Sequence, residues 1–168
     1  VYLHDIKDEL ENFKRISDLT GATPMEKLAI KFTNERQLSP KKLYLATSGK
    51  YLNRIIIPFE DDRGLYYFQA RKLVGESVKY LNPPSSDYGI KSSNILYPYK
   101  EDKSYVLVVE GPLDAMSLQG IGINATSTQG SMLSDPQSRY LAEFEGTLII
   151  AYDNDEAGMA GIKKARKL

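Results

Sequence analysis

Three short apolar runs, Tyr105–Val109, Asn124–Thr128 and Thr147–Tyr152, alternate with three helical patterns over 104–168, and this rhythm limits the fold more than any other feature. Strands that alternate with helices build βαβ units, in which helices cover a parallel sheet. The first run, YVLVV, is apolar almost throughout, as expected of a strand buried on both faces. The helices are expected at Leu113–Gln119, from a Ser134-Asp135-Pro136 start signal to about Phe144, and at Ala157–Leu168. The expected class is α/β, an open parallel sheet with flanking helices.

The part before Ser104 reads differently. Leu10, Phe13, Ile16 and Leu19 recur at spacings of three, and Met25, Leu28, Ile30 and Phe32 follow a Thr23-Pro24 start signal, so the first forty residues are expected to be helical. Leu38-Ser39-Pro40 is expected to open a further short helix. Arg54–Glu60 and Leu65–Leu73 flank Asp61-Asp62-Arg63-Gly64, a turn sequence that predicts a β-hairpin. Pro58 places the first of these strands at an edge or a strand end. Residues 74–103, rich in Gly, Ser, Pro, Asn and Lys, predict an ordered but irregular crossing. The division that follows is a mixed α+β lobe at 1–103 and the α/β part at 104–168.

Composition bounds the chemistry. With no cysteine and a single histidine, His4, neither a thiolate zinc site nor a histidine cluster can form, so a metal here is held by oxygen. No run is long and apolar enough for a membrane span, and residues 1–20 lack the pattern of a signal peptide, which places the expected site of action in the cytoplasm, away from membranes. The net charge is zero over 168 residues, but it is unevenly laid out. Residues 41–103 hold 11 Lys+Arg against 7 Asp+Glu, whereas 104–155 hold 1 against 7. A basic stretch suited to polyanion thus precedes an acidic one suited to cations, although such unevenness is also compatible with plain surface.

The acids stand where such sheets do their chemistry, beyond the carboxyl ends of the strands. The first apolar run ends in Glu110-Gly111-Pro112-Leu113-Asp114, and the third in Asp153-Asn154-Asp155-Glu156-Ala157-Gly158. Asp153 and Asp155, two apart in extended chain, point to one side, and Glu110 faces them if the first and third strands are neighbours. Carboxylates gathered in this way repel unless a cation joins them, and an all-oxygen set suits Mg²⁺ or Mn²⁺. The competing reading is that Asp153 and Asp155 cap the last helix, but one capping residue suffices and Glu110 and Asp114 are then unexplained.

Other motifs fail on their own terms. Counted as a calcium loop from Asp153, the twelfth position is Lys164, where a bidentate Glu is required. Gly120-Ile121-Gly122-Ile123-Asn124-Ala125 has dinucleotide-type glycine spacing but lies between a helix and a strand, the order of a helix C-cap. Ser48-Gly49-Lys50 lacks the upstream glycine of a phosphate-binding loop, and Ser127, Thr128 and Ser131 have no histidine base.

Glu110-Gly111-x-x-Asp114 followed by Asp153-x-Asp155-x-x-Gly158 resembles the Toprim domain of DnaG-type primases, topoisomerases, OLD-type nucleases and RecR-like repair proteins. The preceding stretch sharpens the likeness. Arg54-Ile-Ile-Ile-Pro58-Phe-Glu-Asp61, Gly64, Phe68-Gln-Ala-Arg71, Lys79-Tyr80-Leu81-Asn82-Pro83, Lys91 and Leu96-Tyr97 are similar to the basic subdomain of bacterial and bacteriophage primases. Together the resemblance covers about residues 28–168.

That resemblance implies a fold and an activity. The fold is an N-terminal mixed α+β basic lobe, 1–103, before a Toprim-type (Rossmann-like) open parallel sheet with flanking helices, 104–168. The activity is template-directed synthesis of short RNA primers on single-stranded DNA. Glu110, Asp153 and Asp155 match the family's metal-binding acids, for two Mg²⁺ or Mn²⁺ ions, and Asp114 its accompanying acid. Arg54, of the basic flank, is implied to bind nucleic acid or nucleotide together with Arg71, Lys79, Asn82 and Lys91, which match positions lining the template and nucleotide groove. Tyr80 and Phe68 are candidates to stack bases, with ordinary packing the alternative. The implied partners are single-stranded DNA, ribonucleoside triphosphates and a replicative helicase. A nuclease using the same acids and a non-catalytic single-strand-binding piece are the alternatives.

The sequence also departs from the family. It has no zinc-binding module, and Gln69-Ala70 stands where the family has Gly-Gly before the hairpin arginine. It begins without Met and stops within a helical pattern, so a C-terminally truncated fragment is expected, with inactivity of the isolated piece among the expectations.

Overall fold

The computed structural model describes residues 4–166, and where Leu10, Phe13, Ile16 and Leu19 recur it has two short 3-10 turns split by a strand. Ile6–Asn12 is a 3-10 helix capped by Asp5, the chain extends at Phe13–Arg15 (β1), and Ile16–Asp18 is a second 3-10 turn. The expected helix is broken here, because Phe13 is drawn into the core as a strand residue. Its ring meets Phe68 edge-on at 5.2 Å, and β1 pairs antiparallel with Tyr44–Ala46 (β2).

Between these strands lies Pro24–Glu35 (α1), with Pro24 at its start and the Thr23 hydroxyl accepting from the Glu26 N–H at 3.1 Å, as its start signal predicts. No helix follows Leu38-Ser39-Pro40. A turn closed by the Lys42 N–H on the Ser39 carbonyl leads straight into β2. Burial of Leu43, Tyr44, Leu45 and Ala46 outweighs the local helix-start signal.

The hairpin forms as its turn predicts, from Arg54–Asp61 (β3) and Gly64–Lys72 (β4), with Gly64 at φ +102°. Pairing of β2 with β3 stops at Ile56, so at Pro58 the strand has a partner only in β4. Tyr80–Leu81 (β5) completes a five-stranded antiparallel sheet in the order β1-β2-β3-β4-β5. Ser85–Tyr88 (α2) is a single turn. These elements belong to one compact unit, Val1–Ile90, and Lys91–Leu168 forms a second.

The second unit holds the alternation read from the sequence: Tyr105–Val109 (β6), Pro112–Gly120 (α3), Ala125–Ser127 (β7), Asp135–Ala142 (α4), Thr147–Ile150 (β8) and Glu156–Ala165 (α5). The final helix was expected to reach Leu168, and its last two positions lie outside the described residues. The sheet is parallel in the order β7-β6-β8, which makes the first and third strands neighbours with Val108 opposite Ile150. Gly122, at φ +88°, is the left-handed residue just beyond Ile121, the C-cap of α3, and so ends that helix as its position predicts.

Burial on both faces is less complete than YVLVV suggests. Val108, Leu148 and Ile150 pack with Leu141, Ala165 and Ile162 of the helices on one face. On the other, α3 lies over β6 and β7, and Ile149 in β8 stays 42% exposed.

Three amide side chains tie residues 91–103 to this sheet. Asn124 accepts from the Lys100 N–H at 2.9 Å and donates to the carbonyls of Lys100 and Tyr105 at 2.8 Å each. Gln119 donates to Pro98 and Ala125, and the buried Gln137 donates to Ile95 and Thr128 while accepting from Ser134 in a capping box. Asn124→Ala strands three backbone groups of this interior and is expected to lower unfolding free energy by about 2–3 kcal/mol, read from denaturant midpoints. No helix among the described residues is long and apolar enough to cross a membrane.

Candidate active site

Two adjacent strand ends meet through one hydrogen bond. Glu110 directly follows β6, and its Oε1 accepts from the backbone N–H of Asp153, beyond the end of β8, at 3.0 Å. Asp155 is the N-cap of α5, its Oδ1 accepting from the Gly158 N–H at 2.7 Å. The capping reading therefore holds for Asp155. The Asp153 side chain makes no hydrogen bond among the described residues and is exposed. Asp114 stands in the first turn of α3, with its Oδ2 only 2.7 Å from where a Cβ on Gly111 would lie.

The electrostatics follow from this placement. Burial pushes the Glu110 carboxyl above its ordinary range, the fields of Asp153, Asp155 and Asp114 push the same way, and the Asp153 N–H partly offsets them. Four carboxylates thus share one neighbourhood, and those of Glu110, Asp153 and Asp155 form no ion pair among the described residues. Asp114 has further interactions of its own.

Close packing enforces the arrangement. A Cβ on the buried Gly158 would come within 2.0 Å of the Asp153 carbonyl oxygen and 3.0 Å of Glu110 Oε1. Glycine lets the first turn of α5 press against the acidic loop.

The donor chemistry fits a divalent cation: hard oxygen ligands, mutual repulsion and exposed carboxylates. The ligand set is not drawn together in advance. Among the described residues no group of three or more Asp, Glu, His or Cys stands arranged to hold an ion. Two of the carboxylates, on Glu110 and Asp155, are turned onto backbone N–H groups.

The basic residues divide into two kinds. Arg71 and Tyr80 are cross-strand partners on β4 and β5, and Arg71 Nη1 donates to the Tyr80 hydroxyl at 2.8 Å. The Arg71 guanidinium lies 5.4 Å from both the Phe32 and Tyr80 rings. Beside it, the Lys79 ammonium is 5.7 Å from the Tyr80 ring, and Asn82 accepts from Gln69 at 2.9 Å. Lys79 and Asn82 are exposed, so one edge of the first unit presents cation, aromatic ring and amide together. Lys91 is exposed in the second unit.

Arg54 is different. It is 7% exposed, and it donates to the carbonyls of Ala70 and Val78 and to Ser77, fastening the β4–β5 connection. Burial lowers its pKa. Phe68 is fully buried among Phe13 and Tyr51, out of reach of any base. Sequence reasoning missed Phe32 beneath Arg71 and the role of Gln69 in holding Asn82. Phe32 carries no local signal, since it reaches Arg71 from a helix remote in sequence, whereas Gln69 had registered only as a departure from the family's glycines.

Residues 107–168 match a family model described as Toprim-like. A DNA primase of Aquifex aeolicus is 33% identical over 162 residues, covering 86% of this chain and 32% of that protein. The chain thus spans about a third of that relative's length. Among solved structures, the zinc-binding and RNA polymerase domains of the Aquifex aeolicus primase superpose with a TM-score of 0.61 at 28% identity, over 83% of this chain and 39% of that one. A DnaG primase catalytic domain bound to single-stranded DNA gives 0.68 at 22% identity, over 86% and 59%, and shows likeness of fold.

Proposed function

The chain carries a Toprim domain of the DnaG primase type, and from that premise we propose that it is the core of a cytoplasmic DNA primase, joining ribonucleotides into short RNA primers on single-stranded DNA. The observation that carries the proposal is the Glu110 Oε1 to Asp153 N–H contact of 3.0 Å, because it joins acids from two neighbouring strand ends. Single-stranded DNA, ribonucleoside triphosphates and a replicative helicase are the proposed partners. Residues 1–103 serve as the basic lobe and 104–168 as the Toprim part, with 91–103 packed on the latter.

Glu110, Asp153 and Asp155 would hold one or two Mg²⁺ or Mn²⁺ ions, with Asp114 adding to the field that attracts them. Bound there, such ions supply charge neutralisation for a nucleotide's phosphates and lower the pKa of an attacking hydroxyl. In the reaction the primer's 3′-oxygen forms a bond to the α-phosphorus, the bond to the β-phosphate oxygen breaks, pyrophosphate leaves, and the hydroxyl proton passes to solvent. Arg71, Lys79 and Lys91 offer cations to backbone or triphosphate oxygens, and Asn82, held by Gln69, offers an amide donor. Tyr80 supplies a ring fixed by Arg71 for stacking. Arg54 acts from beneath, holding the segment that bears Lys79.

The test is a labelled-template assay of the protein with Mg²⁺, with and without ribonucleotides. RNA products that require nucleotides and metal are expected. Phosphodiester cleavage without nucleotides would replace this reading with a nuclease, and binding of single-stranded DNA with neither reaction would leave a non-catalytic piece.

A further inference from the structure

A second concave site lies at the opposite end of the parallel strands from Glu110 and Asp153. Glu101 precedes β6, and Glu143, Phe144 and Glu145 precede β8, so these residues gather at the amino ends of the same parallel strands. With Tyr99 and Tyr140 they line a cavity of about 340 Å³. Its walls are three aromatic rings and three carboxylates.

Two of the rings are held in place. Tyr99 and Phe144 meet edge to face at 6.0 Å and 72°. A Cβ on Gly146 would stand 2.6 Å from Phe144 Cε1 and 2.6 Å from the Ser104 carbonyl, so the backbone passes tightly behind the Phe144 ring. Tyr140 stands in the last turn of α4, just before Glu143 and Phe144, and is 53% exposed. Tyr99 is tied to the unit's core.

The charge has no internal answer. Glu101, Glu143 and Glu145 form no ion pair among the described residues. Burial and then Glu101 and Glu143 raise the Tyr99 hydroxyl's pKa, which places both carboxylates near the ring's polar end. The carboxyl end of α4 adds the negative pole of a helix to the same place.

Aromatic faces joined to unpaired carboxylates recognise one chemistry, a cation on an apolar stem. We infer that this cavity is a binding site for an alkylammonium group, supplied either by a free polyamine or by a lysine side chain of a partner protein. A divalent metal ion fits less well, since the rings displace the water such ions retain. A phosphate or nucleic-acid strand is repelled by the three carboxylates.

The experiment is calorimetric titration of the whole chain with spermidine in saturating Mg²⁺, which keeps polyamine off the other acids. Binding at about 10⁻⁴ to 10⁻³ M is expected. Tyr140→Ala and Glu143→Gln, both exposed positions, should each weaken it about tenfold without moving the thermal midpoint, while Asp153→Asn leaves it unchanged. Nα-acetyl-lysine methylamide, added in competition, separates the sources: displacement of spermidine assigns the pocket to lysine side chains, and resistance assigns it to polyamines. Binding that ignores Tyr140→Ala and Glu143→Gln, binding lost with Asp153→Asn, or no binding of either probe would overturn the inference. None of these outcomes depends on primer synthesis.

Discussion

Glu110→Gln is expected to reduce primer synthesis on the order of 10²–10³-fold, the loss seen when one preorganised electrostatic contact is deleted at a reacting centre. The same change should stabilise the metal-free protein. Glu110 is half-buried among three other acids, and glutamine can keep the acceptor for the Asp153 N–H while removing the charge. Relief of repulsion worth about 1 kcal/mol raises the thermal midpoint by about 2–4 °C for a chain of this size.

The gain depends on pH in a definite direction. Because folding raises the Glu110 pKa, the folded state binds the proton more tightly, and stability falls as pH climbs through the folded pKa. Glutamine escapes that loss. The difference between the two proteins should therefore appear above the ordinary carboxylate range and vanish in acid, where Glu110 is protonated whether the chain is folded or not. Added Mg²⁺ should raise the midpoint of the unaltered protein and leave that of the variant nearly still. Paired measurements of activity and melting, with and without metal, check all of this.

Gly158→Ala should have the second large effect, and with a sign opposite to the usual one. Replacing glycine by alanine within a helix ordinarily stabilises by about 1 kcal/mol. Here the new methyl would fall 2.0 Å from the Asp153 carbonyl oxygen, which is backbone and cannot swing aside, and 3.0 Å from Glu110 Oε1. The acidic loop or the first turn of α5 must move. Overpacking of this kind costs about 1–3 kcal/mol, and the displacement also pulls Asp153 from Glu110. A lowered denaturant midpoint together with loss of metal-dependent activity is expected. Gly120→Ala is the matched control, since nothing lies within 4 Å of its Cβ and its stability should hold or rise slightly.

Legibility in the sequence tracked the range of the forces involved. The strand–helix alternation after Ser104 was readable because period and apolar content are local, and β6 and the Ser134 cap stand where they were expected. Leu10 to Leu19 misled because a spacing of three fits one face of an α-helix loosely and a 3-10 helix well. The choice fell to Phe13, whose place beside Phe68 no local pattern announces.

The acids were visible as a motif, and the neighbouring of β6 and β8 gave them a common place. What the motif could not convey was posture: Glu110 and Asp155 rest on backbone N–H groups instead of facing a common point. Arg54 was grouped with the groove-lining cations through its place in the basic-flank motif, while its partners, the carbonyls of Ala70 and Val78, are set by strand register. The backbone-binding roles of Asn124, Gln119 and Gln137 carried no signal, because an amide that satisfies backbone reads in sequence as ordinary polarity.

The central claim is that Glu110 and the Asp153/Asp155 pair form one divalent-cation site. Crystals soaked in Mn²⁺ and measured for anomalous scattering test it most directly. A peak about 2.1 Å from carboxylate oxygens of Glu110 and of Asp153 or Asp155 is expected, with Glu110 released from the Asp153 N–H. Saturating Mn²⁺ that leaves this contact intact, with no peak beside Glu110, would contradict it.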